Sequence, residues 1–204
     1  MRFRSTLTTF LLVLGLAVAA SAAPKQGETG VAIFAGGCFW CMEPPFDKLD
    51  GVLSTTSGYT GGKQVNPTYK QVSSGRTNHR EAIRVEYDPK RVSYEQLLEV
   101  FWVNIDPLDG RGQFCDKGPH YTSAIYAVDE EQLAAAQASK SALESEGKLN
   151  GDIKTEILSA TPFYDAEDYH QDYYTKNPVR YNYYRWGCGR DARLKKLWGE
   201  AAKH

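Results

Sequence analysis

Residues Gly36 to Phe46 read GGCFWCMEPPF, two cysteines three apart behind a glycine pair and around a Phe-Trp dipeptide. A thiol at Cys38, opening a helical turn, would meet unpaired backbone N–H groups and the positive end of that turn, which favour a nucleophilic thiolate. An inert buried cysteine or one half of a static bridge fits the same position, and both readings stay open on this stretch alone. The C-x-x-C spacing suits a disulfide oxidoreductase, whereas two large apolar residues between the cysteines suit a pocket that grips an apolar group. Cys115 and Cys188 stand apart in the chain. No second C-x-x-C or paired-histidine motif completes a zinc set, so no metal is expected.

The flanking sequence must position this stretch. Residues 31–37, VAIFAGG, read as a buried strand running into a tight turn. Pro44 and Pro45 restrict the backbone around them, so a helical turn at Cys38 and a cleaner helix over 45–49 are expected. A second strand is expected over 52–62, and a segment with room for a short helix over 66–80. EAIRVEYD sets Ala82, Arg84 and Glu86 against Ile83, Val85 and Tyr87, a strand alternation. Ser93 and Gln96 form a capping-box pair ahead of a helix carrying Leu97, Leu98, Phe101 and Trp102 and ending near Asp106. Next come a glycine-rich loop, a strand over 122–128, a helix capped by Asp129 and running to about Glu146, and a strand over 153–160. DAEDYHQDYYTKNP and DARLKKLW read as partly helical, joined by an irregular NYYRWGCGR. This order fits an α+β fold, a two-layer sandwich with a split β-α-β (ferredoxin-like) core and an irregular C-terminal tail.

The chain opens with Arg2 and Arg4, an apolar run over 10–20 and Ala20-Ser21-Ala22, the pattern of a secretory signal peptide cleaved after Ala22. The run is shorter than the roughly 20 residues a membrane span needs, so no stable membrane anchor is expected. The expectation is a signal peptide at 1–22, a single catalytic domain at 23–204, and export to the periplasm or secretion. A mature chain of about 180 residues can bury a core without disulfide staples, so the four cysteines call for another explanation. A net charge of −1 argues against a nucleic-acid partner. Thirteen tyrosines, several between Tyr164 and Tyr184, suit packing and also a pocket lined with hydroxyls.

Together GCFW, GYTGG, NPTY, the HRE of His79 to Glu81, the loop containing CDKG and HY, and ATPFYDAEDYHQ resemble a peptide methionine sulfoxide reductase of the A type, in one order over residues 31–178. The resemblance implies reduction of methionine S-sulfoxide, free or in proteins, with no cofactor, repair of oxidised proteins, and a thioredoxin-like reductant. It further implies Cys38 as nucleophile, Glu81 as acid, and Tyr69 and Tyr121 as hydroxyl donors to the sulfoxide oxygen. Asp116 would help hold water and substrate, while Phe39 and Trp40 would form the wall for the S-methyl group. His170 reads as a residue that orients structure or the pocket rim. These roles meet a physical demand: a sulfoxide sulfur is a poor electrophile until its oxygen gains a proton, and a carboxyl that donates at neutral pH must be shielded from water. After attack, a sulfenic acid remains for a second thiol to trap. Cys188, on a glycine-flanked tail expected to swing inward, is the first candidate, with Cys41 and Cys115 as alternatives. Two rival readings are an exported C-x-x-C disulfide oxidoreductase and a module that only binds methionine or its sulfoxide.

Overall fold

The computed structural model describes residues 29–202, so the expected leader at 1–22 lies outside the described residues. A six-stranded sheet forms the centre. Its core is β1 (Gly30–Ala35), β2 (Val52–Thr60), β3 (Arg80–Tyr87) and β6 (Ala124–Ala127), lying side by side in the order β6-β1-β3-β2 with every neighbour antiparallel. Helix α1 (Phe39–Asp47) connects β1 to β2, and α3 (Tyr94–Val103) lies on the path from β3 to β6, which is the expected split β-α-β arrangement. Helix α4 (Glu130–Glu146) returns β7 (Glu156–Ser159) parallel to β6 at one edge. β8 (Tyr164–Asp165) pairs with β2 at the other edge.

The core sits between α1, α3 and one sheet face. Phe34 of β1 is fully buried and stacks on Phe46 of α1 at 5.2 Å and on Phe101 of α3 at 5.1 Å. The capping box at Ser93 and Gln96 forms as expected, as does the Asp129 cap on α4. Helix α1 differs from expectation. It begins at Phe39, with Cys38 as its N-cap, and runs through Pro44 and Pro45 instead of starting at Pro45. Two prolines remove two helical donors, but buried Phe39, Met42 and Phe46 hold the helix to the sheet.

The loop before β6 contains a two-stranded ribbon, β4 (Gly112–Gln113) and β5 (Asp116–Lys117), with Phe114 and Cys115 at its turn. The fully buried Gln113 amide brackets Asp106, accepting from its N–H and donating to its carbonyl, both at 2.8 Å. Beyond β8 come α5 (Tyr173–Lys176), α6 (Pro178–Gly187) and α7 (Arg190–Trp198), joined by short irregular turns. NYYRWG, read as irregular, completes α6, with Cys188 as its C-cap.

The turn between β1 and α1 is tightly specified. Gly37 has φ +84°, and a Cβ there would stand 2.5 Å from Gln113 Cβ. Gly37→Ala therefore combines backbone strain with a clash against the ribbon, and a stability loss of about 1–3 kcal/mol is expected in urea denaturation. An unchanged midpoint would contradict this packing.

Candidate active site

Strand alternation decides the environment of Glu81. Its side chain shares the buried face of β3 with Ile83, Val85 and Tyr87, so a carboxyl is carried onto the apolar side of the sheet and left 1 % exposed. There it accepts a hydrogen bond at 3.2 Å from the N–H of Phe39, an N–H at the start of α1 with no intrahelical acceptor. That contact sets the acid beside Cys38, one residue earlier. Burial pushes the Glu81 carboxyl up to about 8, with the nearby Asp116 adding to the rise, while the Phe39 N–H and the Tyr121 hydroxyl pull it back.

Two tyrosines converge on the same carboxyl. Tyr121 ends the 3₁₀ turn Pro119–Tyr121, and Tyr69 opens α2 (Tyr69–Ser73). Both are held above the usual phenol range, first by burial and then by the charge of Glu81, so both hydroxyls stay protonated as donors. Glu167 braces this arrangement, accepting from the Tyr69 N–H at 2.8 Å and the Tyr59 hydroxyl at 2.8 Å. Tyr59 in turn faces Glu81 across the β2–β3 pair.

The apolar wall follows from the helix start. Phe39 is buried against His170, ring centres 4.9 Å apart, and Trp40 stacks flat on Tyr173 at 3.7 Å with its edge to Tyr184 at 5.9 Å. The Trp40 indole N–H donates to His170 Nδ1 at 3.1 Å. Burial holds the His170 imidazole below its usual range, consistent with a neutral ring that accepts at Nδ1. His170 is thus buried against this wall, 1 % exposed. Asp116 lies on the ribbon, accepts from the Tyr184 hydroxyl, and is raised by burial.

The four cysteines divide into two pairs. Cys38 and Cys41 are free and buried, 6 % and 2 % exposed. Cys115 and Cys188 are joined in a disulfide, with Cys115 exposed and Cys188 half-buried. Cys188 Sγ lies 4.0 Å from Asp116 Oδ2, so the outer bridge borders the site. The tail bearing Cys188 is not a loose arm here: α6 leads into it, and Arg190 just beyond is 1 % exposed. Cys38 was expected to be a thiolate favoured by its helix end. Burial instead pushes its thiol well up, aided by its hydrogen bond to Cys41 and by Glu81 and Asp116. Cys41, accepting that hydrogen bond and facing Arg190 and Arg185, is drawn down to about 6 despite its burial. The inner thiols are thus hydrogen-bonded to each other and titrate together as a pair.

Every residue anticipated around Cys38 thus reaches one site: Phe39, Trp40, Tyr69, Glu81, Asp116 and Tyr121. Sequence reasoning missed Tyr59, Glu167, Tyr184, Arg185 and Arg190. Tyr59 lies within GYTGG and Glu167 within DAEDYHQ, both motifs noticed for resemblance, but nothing local signalled the buried arginines.

The family model for peptide methionine sulfoxide reductase matches residues 30–202. The chain belongs to this family. It is 50% identical over 193 residues to peptide methionine sulfoxide reductase MsrA 2 of Rhizobium meliloti, covering 95% of this chain and 93% of that protein. It is 49% identical over 169 residues to MsrA of Bacillus subtilis, covering 83% and 96%. Among solved structures, methionine sulfoxide reductase A of Corynebacterium diphtheriae matches with a TM-score of 0.67 at 36% identity, covering 76% of this chain and 77% of that one. Mxr1 of Saccharomyces cerevisiae in reduced form matches at 0.69 with 31% identity, covering 76% and 88%. The chain is a peptide-methionine (S)-S-oxide reductase, reducing the sulfoxide through a cysteine sulfenic acid and an intramolecular disulfide. The alternative of a C-x-x-C disulfide oxidoreductase is left without support.

A carboxyl raised to about 8 is protonated below that pH and loses its proton above it. The chemical step should therefore slow as pH rises through about 8, and Glu81→Gln should lower it by about 10²–10⁴ and remove that limb. A limb near pH 8 that persists in Glu81→Gln, read by single-turnover methionine release, would assign it to another group.

Proposed function

We propose that the reduction runs on Cys38 as nucleophile and Glu81 as acid, with Tyr69 and Tyr121 donating to the sulfoxide oxygen. Phe39 and Trp40 receive the S-methyl group, and Asp116 helps hold water and substrate. The observation that carries this reading is the buried Glu81 carboxyl hydrogen-bonded to the N–H directly after Cys38, raised to about 8 and so protonated at neutral pH.

The steps balance on these residues. Cys38 passes its proton to the Cys41 thiolate and attacks the sulfoxide sulfur as the oxygen takes the Glu81 proton. The hydroxyl then passes from the substrate sulfur to Cys38 Sγ: the substrate S–O bond and the new Sγ–S bond break, an Sγ–O bond forms, methionine leaves with the electron pair, and Cys38 carries a sulfenic acid. Cys41, next to it on α1, then attacks the Cys38 sulfur; an S–S bond forms, and the sulfenic hydroxyl leaves as water with the Cys41 proton. Glu81 regains a proton from solvent. This makes Cys41 the first of the three resolving candidates to reach Cys38, because Cys188 is held by Cys115 in the bridged form. The inner bridge is out of reach of a protein partner, whereas Cys115 is exposed. Cys115 and Cys188 therefore serve as the outer pair: once reduced, one of their thiolates attacks the Cys38–Cys41 bridge, and the outer disulfide that results is reopened by a dithiol donor.

The donor proposed is thioredoxin-like; Mxr1 of Saccharomyces cerevisiae has been solved in complex with Trx2. The Arg-flanked apolar start supports a cleaved signal peptide, one mature catalytic domain and export to the periplasm or beyond. Among the described residues no helix is long and apolar enough to cross a membrane. Repair of oxidised exported proteins is the role that combines these readings.

Cys38→Ser should abolish reduction of the S-sulfoxide with the fold intact. With one equivalent of sulfoxide, mass spectrometry should find Cys38 bridged to Cys41, and Cys188→Ser should still release one methionine but stall thioredoxin-dependent cycling. A Cys38–Cys188 bridge formed first would reverse the order of the two pairs. N-terminal sequencing of exported protein should begin at Ala23; a retained Met1 would contradict the leader.

A further inference from the structure

Where the ribbon meets the end of α6, three groups able to ligate a metal converge: the sulfurs of Cys115 and Cys188 and the carboxyl of Asp116, with ligand atoms within 4.8 Å of one another. Cys188 Sγ stands 4.0 Å from Asp116 Oδ2, and Cys115 Sγ stands 3.7 Å from Asp116 Oδ1. A tetrahedral zinc ion, with Zn–S of about 2.3 Å and Zn–O of about 2.0 Å, sets sulfur and oxygen roughly 3.5 Å apart and two sulfurs roughly 3.8 Å apart. The carboxyl is therefore close to ligand spacing from both sulfurs. Only the sulfurs must part, and reduction of their bond allows that. The surroundings orient all three groups. The Cys115 N–H donates to Cys188 Sγ at 3.2 Å, a contact that favours a thiolate there. The Tyr184 hydroxyl donates to Asp116 Oδ2, and strand pairing sets Asp116 opposite Gln113, whose buried amide is tied to Asp106. The neighbouring cation, Lys117, is paired with Asp109. Cys115 is exposed, so an ion can enter from solvent, whereas Cys38 and Cys41 are buried. Motif spacing shows no such set because its two sulfurs stand 73 residues apart.

We propose that Cys115, Cys188 and Asp116 form a site for zinc or a similarly thiophilic divalent cation, and that the site exists only while the outer bridge is open. Its effect on turnover rests on the reading that a dithiol donor opens this bridge in each cycle. The donor gives two electrons and two protons to the bridge, becomes a disulfide itself, and leaves two thiols. Binding the cation then releases both thiol protons and forms two metal–sulfur bonds and one metal–oxygen bond, with water in the fourth position. No electron moves in this second step. Two thiolates beside one carboxylate select zinc over magnesium or calcium, which take oxygen ligands. Sulfur bound to the metal is withdrawn from attack on the Cys38–Cys41 bridge. The cation thus stops cycling after the first methionine is released, and a chain with the outer bridge closed offers it no thiolate.

The test titrates cobalt(II), whose tetrahedral thiolate complexes are coloured, into the mature chain without oxygen, after reduction and removal of the reductant. The reduced chain should bind one cobalt with thiolate-to-metal absorbance, zinc should displace it, and the chain with the Cys115–Cys188 bridge closed should give no such absorbance. Cys115→Ser and Cys188→Ser should each weaken binding by about 100-fold or more, and Asp116→Asn by about tenfold or more. The Cys38→Ser/Cys41→Ser double variant should bind as the wild type does; if circular dichroism shows it unfolded, Cys41→Ser alone gives the same reading. Equal binding by the bridged chain overturns the proposal, as does binding lost with the inner cysteines or unaffected by Asp116→Asn. Zinc should also stall thioredoxin-dependent cycling while sparing the first methionine released, and a chelator should restore turnover; cycling untouched by saturating zinc overturns the proposed effect on turnover. The cobalt titration uses neither sulfoxide nor thioredoxin, so the site is judged apart from the order in which the two cysteine pairs act.

Discussion

A hydrogen bond from the Phe39 N–H to the buried Glu81 carboxyl connects everything else in this molecule. It satisfies a donor that the start of α1 leaves open, and it does so with the one carboxyl on the apolar face of β3. Strand period, helix termination and acid strength thus meet in one contact. Burial raises the carboxyl to about 8, and the contact fixes it next to Cys38. The split β-α-β core matters to function because it sets β1, which delivers Cys38, directly beside β3, which delivers Glu81.

Around that contact the chain arranges its sulfur chemistry in two layers. The inner thiols, Cys38 and Cys41, are buried. Of the outer cysteines Cys115 is exposed and Cys188 half-buried, and Asp116 is adjacent to Cys115 in sequence and hydrogen-bonded to Tyr184 of the helix that carries Cys188. Trp40 is held from three directions by His170, Tyr173 and Tyr184, so the apolar wall and the outer cysteine are presented by the same tail.

Much of this was legible in the sequence because local rules governed it. The alternation of EAIRVEYD marked β3; Ser93 with Gln96 marked the start of α3; Asp129 marked that of α4. The short motifs gathered Cys38, Phe39, Trp40, Tyr69, Glu81, Asp116 and Tyr121 without any distance being known. The illegible part depended on tertiary contacts. Pro44 and Pro45 argued against a continuous α1, yet packing of Phe39, Met42 and Phe46 outweighed two missing donors. Two-residue strands such as β4, β5 and β8 have no period to read. The pairing of Cys115 with Cys188, 73 residues apart, and the burial of Arg190 are decided by which loops meet, and no spacing encodes that.

The chemistry depends on Glu81 being a protonated carboxyl at neutral pH in the resting enzyme. Infrared difference spectroscopy between the wild type and Glu81→Gln, followed across pH, measures this directly through the carbonyl stretch of a protonated carboxyl. A band is expected at pH 7, absent from Glu81→Gln, and lost as pH rises through about 8. A carboxylate signal for Glu81 already complete at pH 6 would contradict it and would leave the sulfoxide oxygen without its acid.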